Sequence, residues 1–333
     1  MDSETEPEKR DAADDAAGGD ENGGDGDSAE RRRSTAIERR GSDAELVAER
    51  ARDVVKKPSF WQRVRAPTGT CRHRRAFVVG IDYVGVAGLT LGGCVNDAVL
   101  MRDFLASKYP TVRMCVDRDV LPTADGGQPT RASIFAGLAW LLDGAHAGDR
   151  LFWHYSGHGS HVPDANGDEP DGRDECLVPL DVRRSGYIVD DALNSLVVRR
   201  MRPGVALHVL FDCCHSGTAL DLPYVLRVGV DRETGVRTKT TTKPPRAGLA
   251  APSPGRVVLF AACADDQYAQ ETVVGGRPHG AMTRAFVDAF RPGRPAPTYG
   301  AVLRTLRDRV RRYGQSVQIS SNLPIDAHAK ISW

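Results

Sequence analysis

The sequence predicts an α/β fold, a mostly parallel central sheet covered by helices on both faces. Two observations carry this expectation. From about Arg72 onward, short apolar runs that read as buried strands alternate with longer stretches of helical periodicity. Two of the runs, Arg150–His154 and Ala206–Phe211, break into glycine-flanked loops, within His-Tyr-Ser-Gly-His-Gly-Ser at His154–Ser160 and Phe-Asp-Cys-Cys-His-Ser-Gly at Phe211–Gly217. Alternating strands and helices build parallel sheets through right-handed crossovers. These gather loops at the C-terminal strand ends, where the sites of open α/β sheets lie.

The elements follow in order. Residues Met1 to about Arg52 are rich in Asp, Glu, Gly, Ala and Ser, with almost no large apolar side chain before Ile37. Such a segment cannot bury enough surface to offset its ordering entropy, so residues 1–57 are expected to be a disordered tail. The tail is acidic through Glu30 and basic at Arg31–Arg33 and Arg39–Arg40. It reads either as a solvated tail or as a pro-segment cut at the basic clusters. Arg75–Ile81 is a strand, a Gly-rich loop follows, and a helix covers roughly Asn96–Ser107. Arg113–Val116 is a short strand, and Thr130–Ala145 a helix with Thr130 as candidate N-cap. A helix near Asp191–Met201 separates the two glycine-flanked strands. Val257–Ala262 is another buried strand, followed by helices near Gly280–Phe290 and Tyr299–Tyr313. Leu226–Pro254 interrupts the pattern with Arg, Lys, Thr, Gly and Pro. The expected division is a larger part over residues 58–225, a flexible basic linker over 226–255, and a smaller part of the same domain over 256–333.

Lys and Arg number 45 against 44 Asp and Glu, a net charge of +1 in 333 residues. That balance argues against nucleic acid or a membrane surface as a partner. No apolar stretch approaches the roughly 20 residues of a membrane span. The acidic N-terminus lacks a secretory apolar region. The seven cysteines are scattered, odd in number and include the vicinal pair Cys213–Cys214. They suit reduced thiols, and the expected location is cytoplasmic.

A histidine and a cysteine delivered to neighbouring strand ends are what a thiol hydrolase needs. A thiol at its reference pKa of about 8.5 is mostly protonated at neutral pH. A nearby imidazole can take that proton and leave a nucleophilic thiolate. His158 and Cys214 fit those roles, with Cys213 an alternative nucleophile on the residues alone. Backbone N–H groups near Gly159 and Cys214 are candidates to stabilise an oxyanion. Asp212 precedes the cysteines, and Asp97 follows a Gly-rich loop at a strand end. Two carboxylates near a reactive thiol would repel an acidic substrate residue and attract Arg or Lys. Asp97 taken alone also reads as a first-turn acid that favours a helix dipole.

These motifs resemble those of metacaspases, a family of caspase-like cysteine peptidases. The matching pieces are Arg75–Asp82, Gly92–Asp97, Phe152–Gly159, Asp174–Pro179, Val189–Asp191, Phe211–Asp221 and Ala261–Gln267, spread over about Arg72–Trp333. The order of the parts and the short linker resemble type I members, although the acidic tail departs from their usual prodomains. The resemblance implies a caspase-like three-layer α/β/α sandwich, with a large-subunit-like part before the linker and a small-subunit-like part after it. It implies His158 as general base and Cys214, the second of the vicinal pair, as nucleophile. A basic S1 pocket lined by Cys94, Asp97, Ser156 and Asp212 follows, giving cleavage of proteins and peptides after Arg or Lys. A Ca²⁺ site at Asp174, Asp190, Asp191 and Asp221 also follows, a set of hard oxygen ligands that suits this cation. So does a monomeric state.

Basic specificity makes self-processing an expectation, at Arg227, Arg232, Arg237, Lys239, Lys243 or Arg246 in the linker, or at Arg31–Arg33, Arg39, Arg40, Lys56 or Lys57 in the tail. A catalytically silent caspase-like scaffold is the alternative, although both His158 and Cys214 are present. A legumain-like enzyme is disfavoured by the acidic pair. Three other readings are set aside. Asp164–Glu175 begins like an EF-hand loop but carries Glu169 where the turn glycine belongs, followed by Pro170. His154, His158 and His161 straddle the end of a strand, so helical ligand spacing does not apply. Gly85–Gly93 lacks the Lys-Ser/Thr of a phosphate loop. Cys71, Cys115, Cys176 and Cys263 read as buried apolar fillers.

Overall fold

The computed structural model describes residues 74–118, 127–164, 167, 169, 172–231, 235–242, 255–262, 271–274, 276–290 and 296–333. The tail, Cys71, Cys263 and the expected motif around Asp265–Gln267 lie outside them.

The parallel strands come first. β1 (Arg74–Gly80) leads to helix α1 (Cys94–Ala106) and then β2 (Thr111–Val116); helix α2 (Arg131–Leu142) leads to β3 (Arg150–Ser156). Thr130 caps α2 as expected, its side chain accepting from Ser133 N. Three short strands, β4 (Gly159–Pro163), β5 (Arg173–Leu177) and β6 (Ile188–Val189), follow, with a single helical turn, α3 (Val182–Ser185), between the last two. Helix α4 (Asp190–Leu196) then precedes β7 (Ala206–Asp212). The chain continues through β8 (Tyr224–Asp231), β9 (Gly235–Thr242), β10 (Arg256–Ala261), β11 (Glu271–Val274) and β12 (Arg277–Gly280). Helices α5 (Ala281–Ala289) and α6 (Tyr299–Val310) and strand β13 (Gln318–Ser321) complete it.

Eight strands form the main sheet in the order β2-β1-β3-β7-β10-β13-β8-β9. The first five are parallel, and β13, β8 and β9 add antiparallel pairings. Alternate residues along each parallel strand enter two separate cores. Phe77, Val79, Trp153, Val209 and Phe211 pack with α2 and α4 on one face. Ala76, Val78, Phe152, Leu210 and Phe260 pack with α1, α5 and α6 on the other. Burial on both faces explains why these strands are apolar at nearly every position. The result is the expected caspase-like α/β/α sandwich. Among the described residues, no helix is long and apolar enough to cross a membrane.

The structure departs from the expectation in two places. Residues 226–231 and 235–242, read as part of a linker, belong to the β8–β9 hairpin that extends the main sheet. The sequence carries the reason: Val225, Val228, Val230, Val236 and Thr238–Thr242 with one lysine among them are β-branched residues, which favour strands even amid charge. Residues 243–254 lie outside the described residues. The segment after His158 is also no loop, because Gly159 opens β4, which pairs with β5 and, through it, β6.

Candidate active site

β3 and β7 are parallel neighbours, and the register sets Ser156 opposite Asp212. The residues just beyond both strands therefore emerge side by side. His158 is half-buried two residues past β3, and Cys214 half-buried two past β7, whereas Cys213 is fully buried in the core. The two segments touch backbone to backbone. A Cβ built on Gly159 would stand 1.9 Å from the Cys214 carbonyl oxygen, so only glycine permits this approach.

His158 is fixed from three sides. Its Nε2 lies 2.8 Å from the Leu89 carbonyl oxygen. A carbonyl can only accept, so Nε2 carries the hydrogen and Nδ1 keeps the lone pair in the neutral ring. Its backbone N–H donates to the Tyr83 hydroxyl at 2.9 Å, and the Tyr83 ring lies under the imidazole with centroids 4.8 Å apart. The Tyr155 hydroxyl donates to the His158 carbonyl at 2.9 Å. Tyr83 and Tyr155 are wholly buried, and burial pushes both phenols well above their ordinary range, so they remain neutral hydrogen-bonding groups. Neither tyrosine was singled out in the sequence. The apolar run Phe152–Tyr155 and the Ile81–Tyr83 strand end were the available signals.

Cys94, Asp97, Ser156 and Asp212 come together. Asp97 stands on the first turn of α1, whose N-cap, Gly93, has no side chain to offer. Asp82 replaces the missing cap from the end of β1, accepting from Cys94 N at 2.8 Å and Val95 N at 3.3 Å. The Ser156 hydroxyl donates to Asp97 Oδ2 at 2.9 Å. Gly280 N donates to both Asp97 oxygens, and Thr283 N donates to Asp212 Oδ2 at 2.7 Å. Gly280 sits between the two carboxylates: a Cβ there would lie 2.1 Å from Asp212 Oδ2 and 2.6 Å from Asp97 Oδ2. Burial raises the Asp97 pKa against these donors. The Cys94 thiol is pushed well up, first by burial and then by the Asp97 charge, so it stays neutral.

The second acidic set is partly reassembled. Carboxylate oxygens of Glu169, Asp190 and Asp221 lie within 4.8 Å of one another. Burial, then the charges of Asp221, Glu175 and Asp174, push the Asp190 carboxyl well above its usual range. A buried knot of mutually repelling carboxylates is chemistry that a hard divalent cation relieves, so these residues fit calcium. Asp191 is the next residue on α4 and donates its N–H to Asp190 Oδ1 at 2.8 Å. Glu169 was the residue that spoke against an EF-hand. It reaches the cluster because the Asp164 carboxylate folds its loop back, accepting from Gly167 N at 2.8 Å and Glu169 N at 2.9 Å.

The other histidines separate. His154 is buried, with Nε2 3.1 Å from Thr283 Oγ1, and burial pushes its pKa down to about 3. His161 lies on β4 beside Arg173 and His215. Cys115 and Cys176 are buried as expected. Three non-glycine residues hold left-handed backbones among the described residues, and all border the site: Tyr83 under His158, His215 after Cys214, and Asp221 in the acidic knot. Strained backbone of this kind gathers where a fold is shaped for function.

Comparison with known proteins places this chain in a family. The profile described as metacaspase, peptidase C14 domain, matches residues 74–223. Metacaspase-1A of Aspergillus fumigatus is 35% identical over 294 residues, covering 77% of this chain and 70% of that protein. Metacaspase-1 of Cryptococcus neoformans var. neoformans is 35% identical over 296 residues, covering 77% and 64%. The crystal structure of a Geobacter sulfurreducens protein, 24% identical, shares the fold with a TM-score of 0.54 over 78% of this chain and 97% of that one.

Proposed function

The chain belongs to the metacaspases, caspase-like cysteine peptidases, and on that premise we propose that it is a calcium-dependent endopeptidase cleaving after Arg or Lys through Cys214 and His158. The observation that carries this reading is the backbone contact of Gly159 with Cys214, which joins the half-buried His158 and Cys214 segments at neighbouring strand ends.

His158 Nδ1 takes the proton of the Cys214 thiol while the Leu89 carbonyl holds Nε2–H. The thiolate attacks the scissile carbonyl carbon, and the N–H groups of Gly159 and Cys214 stabilise the oxyanion. The C–N bond breaks as His158 returns the proton to the departing amine, leaving a thioester on Cys214. His158 then takes a proton from water, whose oxygen attacks the thioester and releases the acid and the thiol. Asp97 and Asp212 attract the basic side chain preceding the scissile bond, with Ser156 and Cys94 as polar and neutral walls. Glu169, Asp190 and Asp221, with Asp174 and Asp191 beside them, would hold calcium. Its charge would offset their repulsion and tie the segment after Cys214 to β5 and α4. The reading extends to a monomer located in the cytoplasm that processes itself at basic residues.

Turnover of fluorogenic peptides ending in Arg, Lys or Asp, by wild type and Cys214→Ala, with and without millimolar Ca²⁺, tests the reading. Expected is Arg and Lys turnover by wild type in calcium only. Cleavage after Asp, or undiminished turnover by Cys214→Ala, would refute it.

A further inference from the structure

The Asp97 carboxylate is shut off from solvent, and its acceptor positions are already in use. Gly280 N donates to Oδ1 at 3.0 Å and to Oδ2 at 2.8 Å; Ser156 Oγ donates to Oδ2 at 2.9 Å; His279 Nδ1 stands 3.2 Å from Oδ1. A carboxylate offers about four acceptor positions. A guanidinium or ammonium group that binds Asp97 must therefore take the place of one of these donors.

Two of the donors cannot leave. The Gly280 amide is backbone at the start of α5, wedged between Asp97 and Asp212. Ser156 is buried at the end of β3, with its hydroxyl directed into the pocket. His279 differs from both. Its side chain is 11% exposed and projects from β12, one strand of a two-stranded hairpin, so rotation about its own side-chain bonds frees Asp97 Oδ1 without moving backbone. Among the described residues, no other side-chain nitrogen of Lys, Arg or His lies within ion-pair distance of Asp97. The hairpin is anchored beside it, where Asn96 Nδ2 donates to the Pro278 carbonyl at 2.9 Å.

We infer that His279 is an internal stand-in for the substrate's basic side chain, occupying Asp97 until an Arg or Lys residue displaces it. His279 thereby tempers affinity for basic residues and acts as a specificity-determining residue of the pocket. The inference rests on the assignment of Asp97 and Asp212 to the specificity pocket made above. A neutral side chain gains nothing by displacing a donor from a carboxylate, because the exchange leaves a buried acceptor short of a partner. The competition therefore acts on basic residues alone.

The test compares full-length wild type, His279→Ala and His279→Asn in Ca²⁺, each checked for folding by thermal melting, on peptides ending in Arg, Ala or Asp. In His279→Ala, KM for the Arg peptide falls by about tenfold, the scale of one hydrogen bond to a charged group. The Ala and Asp peptides stay uncleaved in every form. In His279→Asn, whose amide nitrogen can donate where Nδ1 did, KM lies between the two; this variant also decides the matter if the Ala protein melts early. Wild-type turnover of the Arg peptide with KM unchanged or raised in both variants overturns the inference and leaves the basic pocket standing. Cleavage after Asp, or no turnover of the Arg peptide by any form, removes the pocket reading and the inference with it.

Discussion

At the scale of single residues, the site depends on a few atoms that nothing else can replace. The Tyr83 hydroxyl accepts the His158 N–H and donates to the Val178 carbonyl at 2.6 Å. Tyr83→Phe keeps the ring beneath the imidazole but strands a backbone donor, which costs about 1–3 kcal/mol of stability. The imidazole also loses one of its supports, so kcat falls by about tenfold with KM little changed, since a barrier increase near 1.4 kcal/mol has that effect. A raised KM with kcat unchanged would show that Tyr83 serves binding instead. Gly159→Ala is harsher, because the new Cβ meets the Cys214 carbonyl, and backbone cannot yield as a flexible side chain can. The His158 and Cys214 segments must separate, and a misplacement near 1 Å costs about 100-fold in rate. Retention of more than a tenth of wild-type kcat would contradict the backbone contact. His158, Cys214 and Asp212 stood out in the sequence because each adjoins a strand end with a marked motif, and Asp97 because it follows a Gly-rich loop in the first turn of a helix. Tyr83, Leu89 and His279 did not. They act through partners distant in the chain, and no local pattern marks a residue whose role is to hold another.

At the scale of elements, the sheet limits which basic residues a protease cleft can reach. Arg227 lies in β8, paired across to Lys239, and its guanidinium donates to Gln318 Oε1 at 2.8 and 2.6 Å. Gln318 in turn donates to the Gly217 carbonyl at 2.6 Å, linking β13 and β8 to the segment after Cys214. A peptide bond entering a protease cleft must leave its own sheet first. Calcium-triggered self-cleavage is therefore expected at Lys243 or Arg246, beyond β9, or in the tail, and not after Arg227. Mass spectrometry of the fragments checks this, and a fragment beginning at Val228 would contradict it. Strands flanked by helices announced themselves through apolar runs. The β8–β9 pair, rich in Thr, Arg and Lys, hid behind its charge, because strand preference is set by packing and β-branching more than by apolarity. The small β4–β6 sheet was missed for a related reason: its strands are short and half-polar.

For the whole molecule, burial of titratable groups sets how stability responds to acid. Burial lowers His154 to about 3; burial, then the charges of Arg150 and Arg256, lowers His208 to about 4. An unfolded histidine titrates near 6.5. Between those values the unfolded chain binds more protons than the folded one, so stability falls as pH drops through the window and is fully present above about 6.5. Each histidine contributes a slope of at most about 1.4 kcal/mol per pH unit. Asp97 and Asp190, whose pKa values are raised, act in the opposite sense and soften the fall. Melting temperatures between pH 7 and 4.5 should decline more steeply for wild type than for His154→Gln, and parallel curves would refute the assignment. The layered architecture itself was legible from the alternation of strands and helices, since sheets buried on both faces leave little ambiguity of period. Glu169 entered the acidic knot unannounced because a loop fold, not a spacing, carries it there. The proposed mechanism has His158 activate Cys214 beside a pocket for basic residues. Labelling of full-length protein in Ca²⁺ with an Arg-terminated peptide chloromethyl ketone, mapped by mass spectrometry, tests it most directly. One label is expected, on Cys214, lost in His158→Ala and not formed by an Asp-terminated reagent. A label on Cys213, or labelling of Cys214 indifferent to His158, would contradict it.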